Sequence, residues 1–310
     1  MNDLDTRGGA FDDSRVSERP DDSAGIERSA TRLLGAWQTS FRHLEILDTP
    51  RYGRVLRADG ADLISEFDEF VYHENLVHPA LTAHAAPKRI LIIGGGDGGT
   101  AEEVLKHPSV EQVALFEADA ELLRLAKLHF AAVHRGAFDD SRLAVHAIDG
   151  QAYLRETEVR FDLIALDLGS PAAPAAALLS GEFLPRCRLA LAPGGALVLP
   201  LGLPTASPER LAELAQRLNG LFRIVRPYTF YVPLLGAQCA LAVCSDRLDP
   251  KSITADEIDR RIEQRRLADL RYYNGETHEG VFALPNYLRD LVVPPRVRPQ
   301  PRNRGLGVVR

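Results

Sequence analysis

The stretch of residues 90–100 constrains the fold more than any other part of the chain. An apolar run at residues 90–93 predicts a buried strand, and the glycine-rich run at residues 94–99 predicts a tight turn. Residues 101–105 then begin a helical pattern. A strand, a glycine turn and a helix in this order form the nucleotide-binding unit of a doubly wound α/β fold.

Asp97 lies within that turn and narrows the class of ligand. A dinucleotide-binding turn presents backbone N–H groups to a pyrophosphate. A carboxylate at the same place repels a phosphate, and the repulsion is strong in a pocket of low dielectric constant. The sequence therefore favours a phosphate-free nucleoside that carries a positive group, such as an S-adenosyl compound, over NAD or ATP.

Composition excludes several other classes of protein. The net charge of -6 gives no reason to expect a nucleic-acid partner. No apolar run approaches the roughly 20 residues that a membrane helix needs, and the first residues lack the pattern of a signal peptide. Cys187, Cys239 and Cys244 are odd in number and lack metal-ligand spacing, which predicts reduced, buried thiols in a cytoplasmic protein.

The chain divides into four predicted segments. Residues 1–30 are polar and are expected to be disordered. Residues 31–66 predict a small antiparallel β-domain of two or three strands, separate from the main sheet. Residues 67–292 form the main α/β domain, and residues 293–310 form a basic tail rich in Pro and Arg.

The main domain begins with a helical pattern at residues 67–84, in which Pro79 should bend or break the helix. Strands are predicted at residues 112–116, 143–146, 161–166, 195–199, near 222–228 and at 238–243.

Acidic residues follow four successive predicted strands of this domain, namely Asp97, Glu117, Asp149 and Asp167. The carboxyl ends of such strands meet at the edge where open α/β sheets bind ligands. One of these carboxylates could cap a helix, but four together predict a shared binding site. Glu117 is placed to accept hydrogen bonds from the ribose hydroxyls, and Asp149 with the Gly150 amide could hold an adenine edge.

Six runs of the sequence carry a family pattern, at residues 52–60, 68–74 (DEFVYHE), 76–80, 94–99 (GGGDGG), 105–110 and 272–285. Together they resemble the spermidine synthase family of polyamine aminopropyltransferases. The resemblance covers roughly residues 38–292. It implies a Rossmann-like methyltransferase-type sheet preceded by the small β-domain, and a homodimer or homotetramer.

The resemblance also implies an activity. Family members transfer an aminopropyl group from decarboxylated S-adenosylmethionine, a co-substrate, to a small-molecule amine such as putrescine, and they release methylthioadenosine. No metal or other cofactor is implied. A sulfonium is already a good leaving group, so the reaction chiefly needs an uncharged amine held in line with the carbon under attack.

Site residues carry over from the family position by position. Asp167 matches the proton acceptor, Asp97 the residue that binds the aminopropyl ammonium, and Glu117 the ribose ligand. The remaining donor-binding positions are Gly94, Gly96, Gly98, Asp149 and Gly150, and the acceptor-binding positions are Tyr72, His73, Ser170 and Leu234.

The acceptor positions depart from the family pattern. Ser170 replaces the second carboxylate of the D-x-x-D-P motif, Leu234 replaces a tyrosine, and Arg42 replaces a glutamine. Three interpretations follow: a less cationic or more apolar acceptor, a diamine held by other acidic groups such as Glu74, or nucleoside binding without efficient catalysis. The alternative functions are therefore a nucleoside-binding pseudoenzyme and an S-adenosylmethionine-dependent methyltransferase on the same fold.

Overall fold

The computed structural model describes residues 15–18, 26–29, 32–169 and 181–292, the first two as backbone only. Within the segment predicted to be disordered lie two short antiparallel strands, β1 (Arg15–Glu18) and β2 (Ile26–Ser29). A ribbon of two strands has little stability of its own. Disorder of the rest of residues 1–30 stays a prediction, because those residues, Ser170 and the basic tail lie outside the described part.

The N-terminal domain is a four-stranded antiparallel sheet, separate from the main sheet as predicted. Its strands, in spatial order, are β3 (Arg32–Gln38), β4 (His43–Thr49), β5 (Gly53–Ala58) and β6 (Ala61–Ser65). The prediction of two or three strands was wrong, because it missed the first strand, β3. The pairing of β3 with β4 shifts register between Leu33 and Gly35, which breaks the alternation that reveals a strand.

The main sheet has seven strands in the spatial order β12-β13-β11-β10-β7-β8-β9. They are β7 (Arg89–Gly94), β8 (Gln112–Phe116), β9 (Leu143–His146), β10 (Phe161–Asp167), β11 (Leu191–Gly202), β12 (Ile224–Val232) and β13 (Ala237–Ser245). Strands β7 to β11 pair in parallel, whereas β12 and β13 pair antiparallel. The predicted α/β fold with a Rossmann-like, methyltransferase-type sheet is confirmed.

Ten helices accompany the two sheets in the described ranges. They are α1 (Glu69–Ala83), α2 (Gly99–Leu105), α3 (Ala120–His129), α4 (Ala131–His134), α5 (Gly150–Glu156), α6 (Phe183–Leu189), α7 (Pro208–Leu221), α8 (Ala255–Arg265), α9 (Gly275–Val281) and α10 (Asn286–Val292). None of them is both long and apolar enough to cross a membrane. The three cysteines are buried, unpaired thiols, as predicted.

Strand β7 is apolar on both faces because a separate core covers each face. Ile90 and Ile92 pack in the cluster that contains Leu76 and Leu81 of α1. Leu91 and Ile93 belong to the opposite cluster, with residues of α6 and α7. This double burial explains why the strand appears in the sequence as a continuous apolar run and not as an alternating pattern.

Helix α1 continues through Pro79, so the break that was one of the two predicted outcomes does not occur. Proline lacks the N–H that would bond to the carbonyl oxygen four residues earlier, at Asn75. The buried Tyr228 hydroxyl donates a hydrogen bond to that carbonyl oxygen at 2.7 Å. A side chain from β12 therefore supplies the missing donor. The sequence does not reveal this contact, because the two residues lie 153 positions apart.

Strands β7 and β10 lie side by side at the point where the strand order reverses. The Gly95 N–H donates to the Asp167 carbonyl oxygen at 2.9 Å, which joins the glycine turn to the end of β10. Ligand crevices of open α/β sheets form at such switch points.

Candidate active site

A cavity of about 370 Å³ lies at the carboxyl ends of the parallel strands, between the main sheet, the N-terminal sheet and α1. A small-molecule site typically has a volume of this order. The predicted site residues that line it are Tyr72, His73, Gly94, Gly96, Asp97, Glu117, Asp149, Gly150, Asp167 and Leu234. The four acidic residues that follow successive strands thus share one space.

Three of these four carboxylates also organise the backbone that follows them. The bonds run to Asp97 from the Gly99 N–H (2.8 Å), to Glu117 from the Asp119 N–H (2.9 Å) and to Asp149 from the Gln151 N–H (2.9 Å). Only Asp149 is the N-cap of a helix, α5. The N-caps of α2 and α3 are Gly98 and Asp119, so the bonds to Asp97 and Glu117 lie in the preceding turns, and capping explains one of the four carboxylates. Each bond uses a single oxygen, so a capping role and a ligand-binding role are compatible.

Asp167 ends β10 and is buried. The Thr100 hydroxyl donates a hydrogen bond to its Oδ2 at 2.6 Å. Burial, followed by the negative charge of Asp97, raises the pKa of Asp167 to about 7. Sequence reasoning missed Thr100, because nothing in the spacing of α2 and β10 reveals that the two side chains meet.

His73 lies on α1 between two carboxylates. Its Nδ1 contacts Glu69 Oε2 at 2.9 Å, and its Nε2 lies 3.5 Å from Asp97 Oδ1. Burial lowers the pKa of His73, but Asp97 and Glu69 outweigh burial and raise it to about 10. The imidazole is therefore a cation at neutral pH. Glu69 was missed, although its i,i+4 spacing from His73 was a usable signal.

The glycine turn allows His73 to approach Asp97 closely. A Cβ added at Gly99 would lie 2.2 Å from His73 Cε1, so a larger residue at this position excludes the imidazole ring. Gly98 does not line the cavity. Gly98 is the N-cap of α2 and has a φ of +85°. Its N–H donates to the Gly95 carbonyl oxygen at 3.0 Å, so its role in this structure is to form the turn.

Together, His73, Asp97 and Asp167 form a cluster that fits a cation. Each offers one nitrogen or oxygen atom, and these atoms lie within 4.8 Å of one another. A metal ion needs an unprotonated imidazole nitrogen, whereas His73 is held protonated by its neighbours. The cluster therefore suits an organic cation between the two aspartates better than a metal ion.

Tyr72 and Leu234 line the same cavity, and the Tyr72 ring lies against His73 with ring centroids 5.6 Å apart. The buried Tyr72 hydroxyl has no hydrogen-bond partner within the described ranges. Burial, followed by the charge of Asp167, raises the pKa of Tyr72 well above its usual value, so the hydroxyl stays a proton donor. The buried Leu234 contributes its side chain to the wall, and its N–H donates to Asp68 Oδ2 at 2.5 Å.

The suggestion that Glu74 could hold a diamine was wrong. Glu74 is fully buried, and its carboxylate accepts hydrogen bonds from the backbone N–H groups of Arg271, Tyr272 and Tyr273 at 2.7 to 2.9 Å. It fastens the C-terminal part of the chain to α1 and does not line the cavity.

Comparison with known proteins agrees with this geometry. Residues 69–257 match the model of the spermine/spermidine synthase domain family. The polyamine aminopropyltransferase of Nitrosomonas europaea is 43% identical over 272 residues, which cover 87% of this chain and 83% of that protein. Polyamine aminopropyltransferase 2 of Hyperthermus butylicus is 39% identical over 279 residues, which cover 89% of this chain and 92% of that protein.

Solved structures give the same result. A spermidine synthase in complex with the transition-state analogue AdoDATO has a TM-score of 0.81 and 31% identity, covering 87% of this chain and 91% of the other. Spermidine synthase from Thermotoga maritima has a TM-score of 0.80 and 31% identity, covering 87% and 90%. The chain belongs to the spermine/spermidine synthase family and is an enzyme of the polyamine aminopropyltransferase type.

Proposed function

We propose that this enzyme transfers an aminopropyl group from decarboxylated S-adenosylmethionine to an amine and releases methylthioadenosine. The observation that carries the proposal is the cluster of Asp97, Asp167 and His73 in a cavity that also contains Glu117 and Asp149. Such a set of carboxylates matches a phosphate-free adenosine derivative with two positive groups, a sulfonium and an ammonium.

The adenosine part of the donor occupies the half of the cavity at the ends of β8 and β9. Glu117 accepts hydrogen bonds from the ribose hydroxyls, and Asp149 with the Gly150 N–H holds the adenine edge. Gly94 and Gly96 let the backbone approach the nucleoside closely. The likeness to a spermidine synthase in complex with AdoDATO supports a donor of this class.

Asp97 selects the donor by charge. The decarboxylated donor presents an ammonium at the end of its propyl chain, which Asp97 attracts. Ordinary S-adenosylmethionine carries an additional carboxylate near that end, which Asp97 repels. Because selection depends on one negative side chain in the turn, an Asp97→Asn variant is expected to lose most of the preference.

The chemical step is a displacement at carbon. Asp167 accepts a proton from the ammonium of the acceptor, which frees the lone pair of the amine. The lone pair attacks the propyl carbon bonded to sulfur, the C–S bond breaks, and its electrons remain on sulfur as the neutral thioether. The new secondary ammonium leaves with the product. A carboxylate with a pKa of about 7 is a stronger base than an ordinary aspartate, and the two positive charges of the donor favour its ionised form.

Tyr72 and His73 position the reactants near Asp167. The unpartnered Tyr72 hydroxyl is a hydrogen-bond donor or acceptor for the incoming amine. The His73 imidazolium holds the Asp97 carboxylate in place, with its Nε2 3.5 Å from Asp97 Oδ1. The sulfonium is itself the leaving group, so the proposed reaction uses no metal or other cofactor. A homodimer or homotetramer stays a prediction from the resemblance.

The test is release of methylthioadenosine. The purified enzyme is incubated with decarboxylated S-adenosylmethionine and a panel of monoamines, diamines and triamines, and the nucleoside product is separated by chromatography. Product with at least one amine is expected. Absence of product with every amine would leave nucleoside binding alone, and methyl transfer from S-adenosylmethionine would identify a methyltransferase.

A further inference from the structure

The cavity is strongly asymmetric along the edge of the sheet. Its donor half, at the ends of β7, β8 and β9, contains Asp97, Glu117 and Asp149. Beyond Asp167, towards β12 and the N-terminal sheet, the lining is mainly aliphatic. We call this part the apolar half; its aliphatic lining residues are Leu63, Ile64, Leu168, Val232, Leu234 and Leu235.

The acidic group in the apolar half is already engaged. Asp68 Oδ1 accepts from the Ser65 hydroxyl and its Oδ2 from the Leu234 N–H, both at 2.5 Å. This carboxylate therefore fastens α1 to the turn after β12. Glu69, the next acidic residue of the lining, is also engaged, by His73 Nδ1 at 2.9 Å and by Arg135 Nη2 at 3.0 Å.

A positive charge borders the cavity at Arg42, whose Nε lies 3.9 Å from Asp119 Oδ2. Arg42 lines the cavity, and a Cβ added at Gly169 would lie 3.5 Å from its Nη1 and 3.9 Å from Leu63 Cδ2. The guanidinium thus faces the backbone just beyond Asp167. A second ammonium near Gly169 and Leu63 would lie beside aliphatic groups and the Arg42 guanidinium.

We infer that the acceptor is a primary monoamine whose far end is apolar, such as an unbranched alkylamine, and that the apolar half binds its hydrocarbon chain. This inference rests on the proposed function, because it names the acceptor of the same reaction. The reacting amine lies at Asp167 and Tyr72, and the chain extends towards Leu63, Leu234 and Leu235. Burial of a distal methyl group is favourable there, whereas an unpaired buried ammonium is costly.

Three acceptors of equal length test the inference. Butylamine, putrescine and 4-aminobutyrate each have a four-carbon chain with a primary amine at one end, and the other end is a methyl, a second ammonium or a carboxylate. The donor is decarboxylated S-adenosylmethionine. The kcat/KM for butylamine is expected to exceed the kcat/KM for each of the other two acceptors by about tenfold or more. The kcat/KM for putrescine is divided by two before the comparison, because putrescine has two equivalent amines.

Variants that differ in charge alone provide the control. Leu235 is partly buried, so Leu235→Glu adds a carboxylate to the wall and Leu235→Gln adds the same shape without charge. The glutamate variant is expected to raise kcat/KM for putrescine by about tenfold relative to the glutamine variant. If the Leu235 variants do not fold, Leu63→Glu and Leu63→Gln repeat the comparison at a lining residue of β6.

The outcomes separate the identity of the acceptor from the proposed function. Preference for putrescine or 4-aminobutyrate over butylamine would overturn the inference while leaving aminopropyl transfer intact. Absence of methylthioadenosine with every amine would overturn the proposed function, and the inference with it. A preference for butylamine that Leu235→Glu moves towards putrescine supports both.

Discussion

The hydroxyl of Thr100 donates a hydrogen bond to Oδ2 of Asp167 at 2.6 Å, inside the cavity. Thr100 lies in the first turn of α2, directly after the glycine turn, so the turn that faces the nucleoside also sets the environment of the proposed base. The bond favours the ionised carboxylate and opposes the effect of burial on the pKa of Asp167.

Thr100→Val removes this donor with little change in shape. The pKa of Asp167 is expected to rise above about 7, because one interaction that stabilises the carboxylate is lost. A base acts when it is unprotonated, so the acid limb of the kcat/KM profile is expected to move to higher pH. Thr100→Ser keeps a hydroxyl and should restore the profile. An unchanged limb in Thr100→Val would show that the bond does not tune Asp167.

Asp167→Asn tests the proton acceptor itself. The amide cannot take a proton from the acceptor's ammonium, so turnover is expected to fall by about 10² to 10⁴, the usual contribution of a general base. Donor affinity is expected to change far less, because Asp97 and Glu117 remain. Single-turnover measurement of methylthioadenosine, with calorimetry of donor binding, separates these effects. Retained turnover would remove Asp167 from the mechanism.

Gly94→Ala tests the close approach of β7 and β10. Gly94 has a φ of +85°, and an added Cβ would lie 1.8 Å from the Asp167 carbonyl oxygen. Gly60 is a matched control, since its φ is +83° but nothing lies within 4 Å of an added Cβ. Gly60→Ala is expected to cost about 1 kcal/mol in the free energy of unfolding, and Gly94→Ala at least about 3 kcal/mol more. Equal costs in urea unfolding would show that the two strands do not approach so closely at Gly94.

Tyr228→Phe tests how α1 tolerates Pro79. The variant leaves the buried Asn75 carbonyl oxygen without the Tyr228 hydroxyl, and is expected to cost about 1–3 kcal/mol in the free energy of unfolding. Pro79→Ala restores a backbone N–H in reach of the same oxygen. The double variant should therefore lose less stability than Tyr228→Phe alone. Additive effects in this double-mutant cycle would show that the two residues do not share the carbonyl.

Much of the fold could be predicted because its signals are local. The apolar run of β7, the glycine turn and the acidic residues after successive strands are all visible in short windows of sequence. Strand β3 was missed because a register shift hides its alternation. The continuity of α1 could not be predicted, because it depends on Tyr228, which lies 153 residues from Asn75 in the sequence.

The candidate site could be predicted at the level of carboxylates but not of their partners. Strand order brings Asp97, Glu117, Asp149 and Asp167 together, and strand order follows from general topology. Contacts such as Thr100 with Asp167, or Glu74 with the backbone of residues 271–273, depend on side-chain packing between distant segments. Glu74 therefore looked available for a ligand until its partners were known.

Binding of the two nucleosides tests the central claim most directly, which is that this cavity is built for a phosphate-free adenosine derivative with two positive charges. Isothermal titration calorimetry at pH 7 compares decarboxylated S-adenosylmethionine with S-adenosylmethionine, for the wild-type enzyme and for Asp97→Asn. The wild type is expected to bind the decarboxylated form at least about tenfold more tightly, and Asp97→Asn to lose most of this difference. Tighter binding of S-adenosylmethionine by the wild type would contradict the claim.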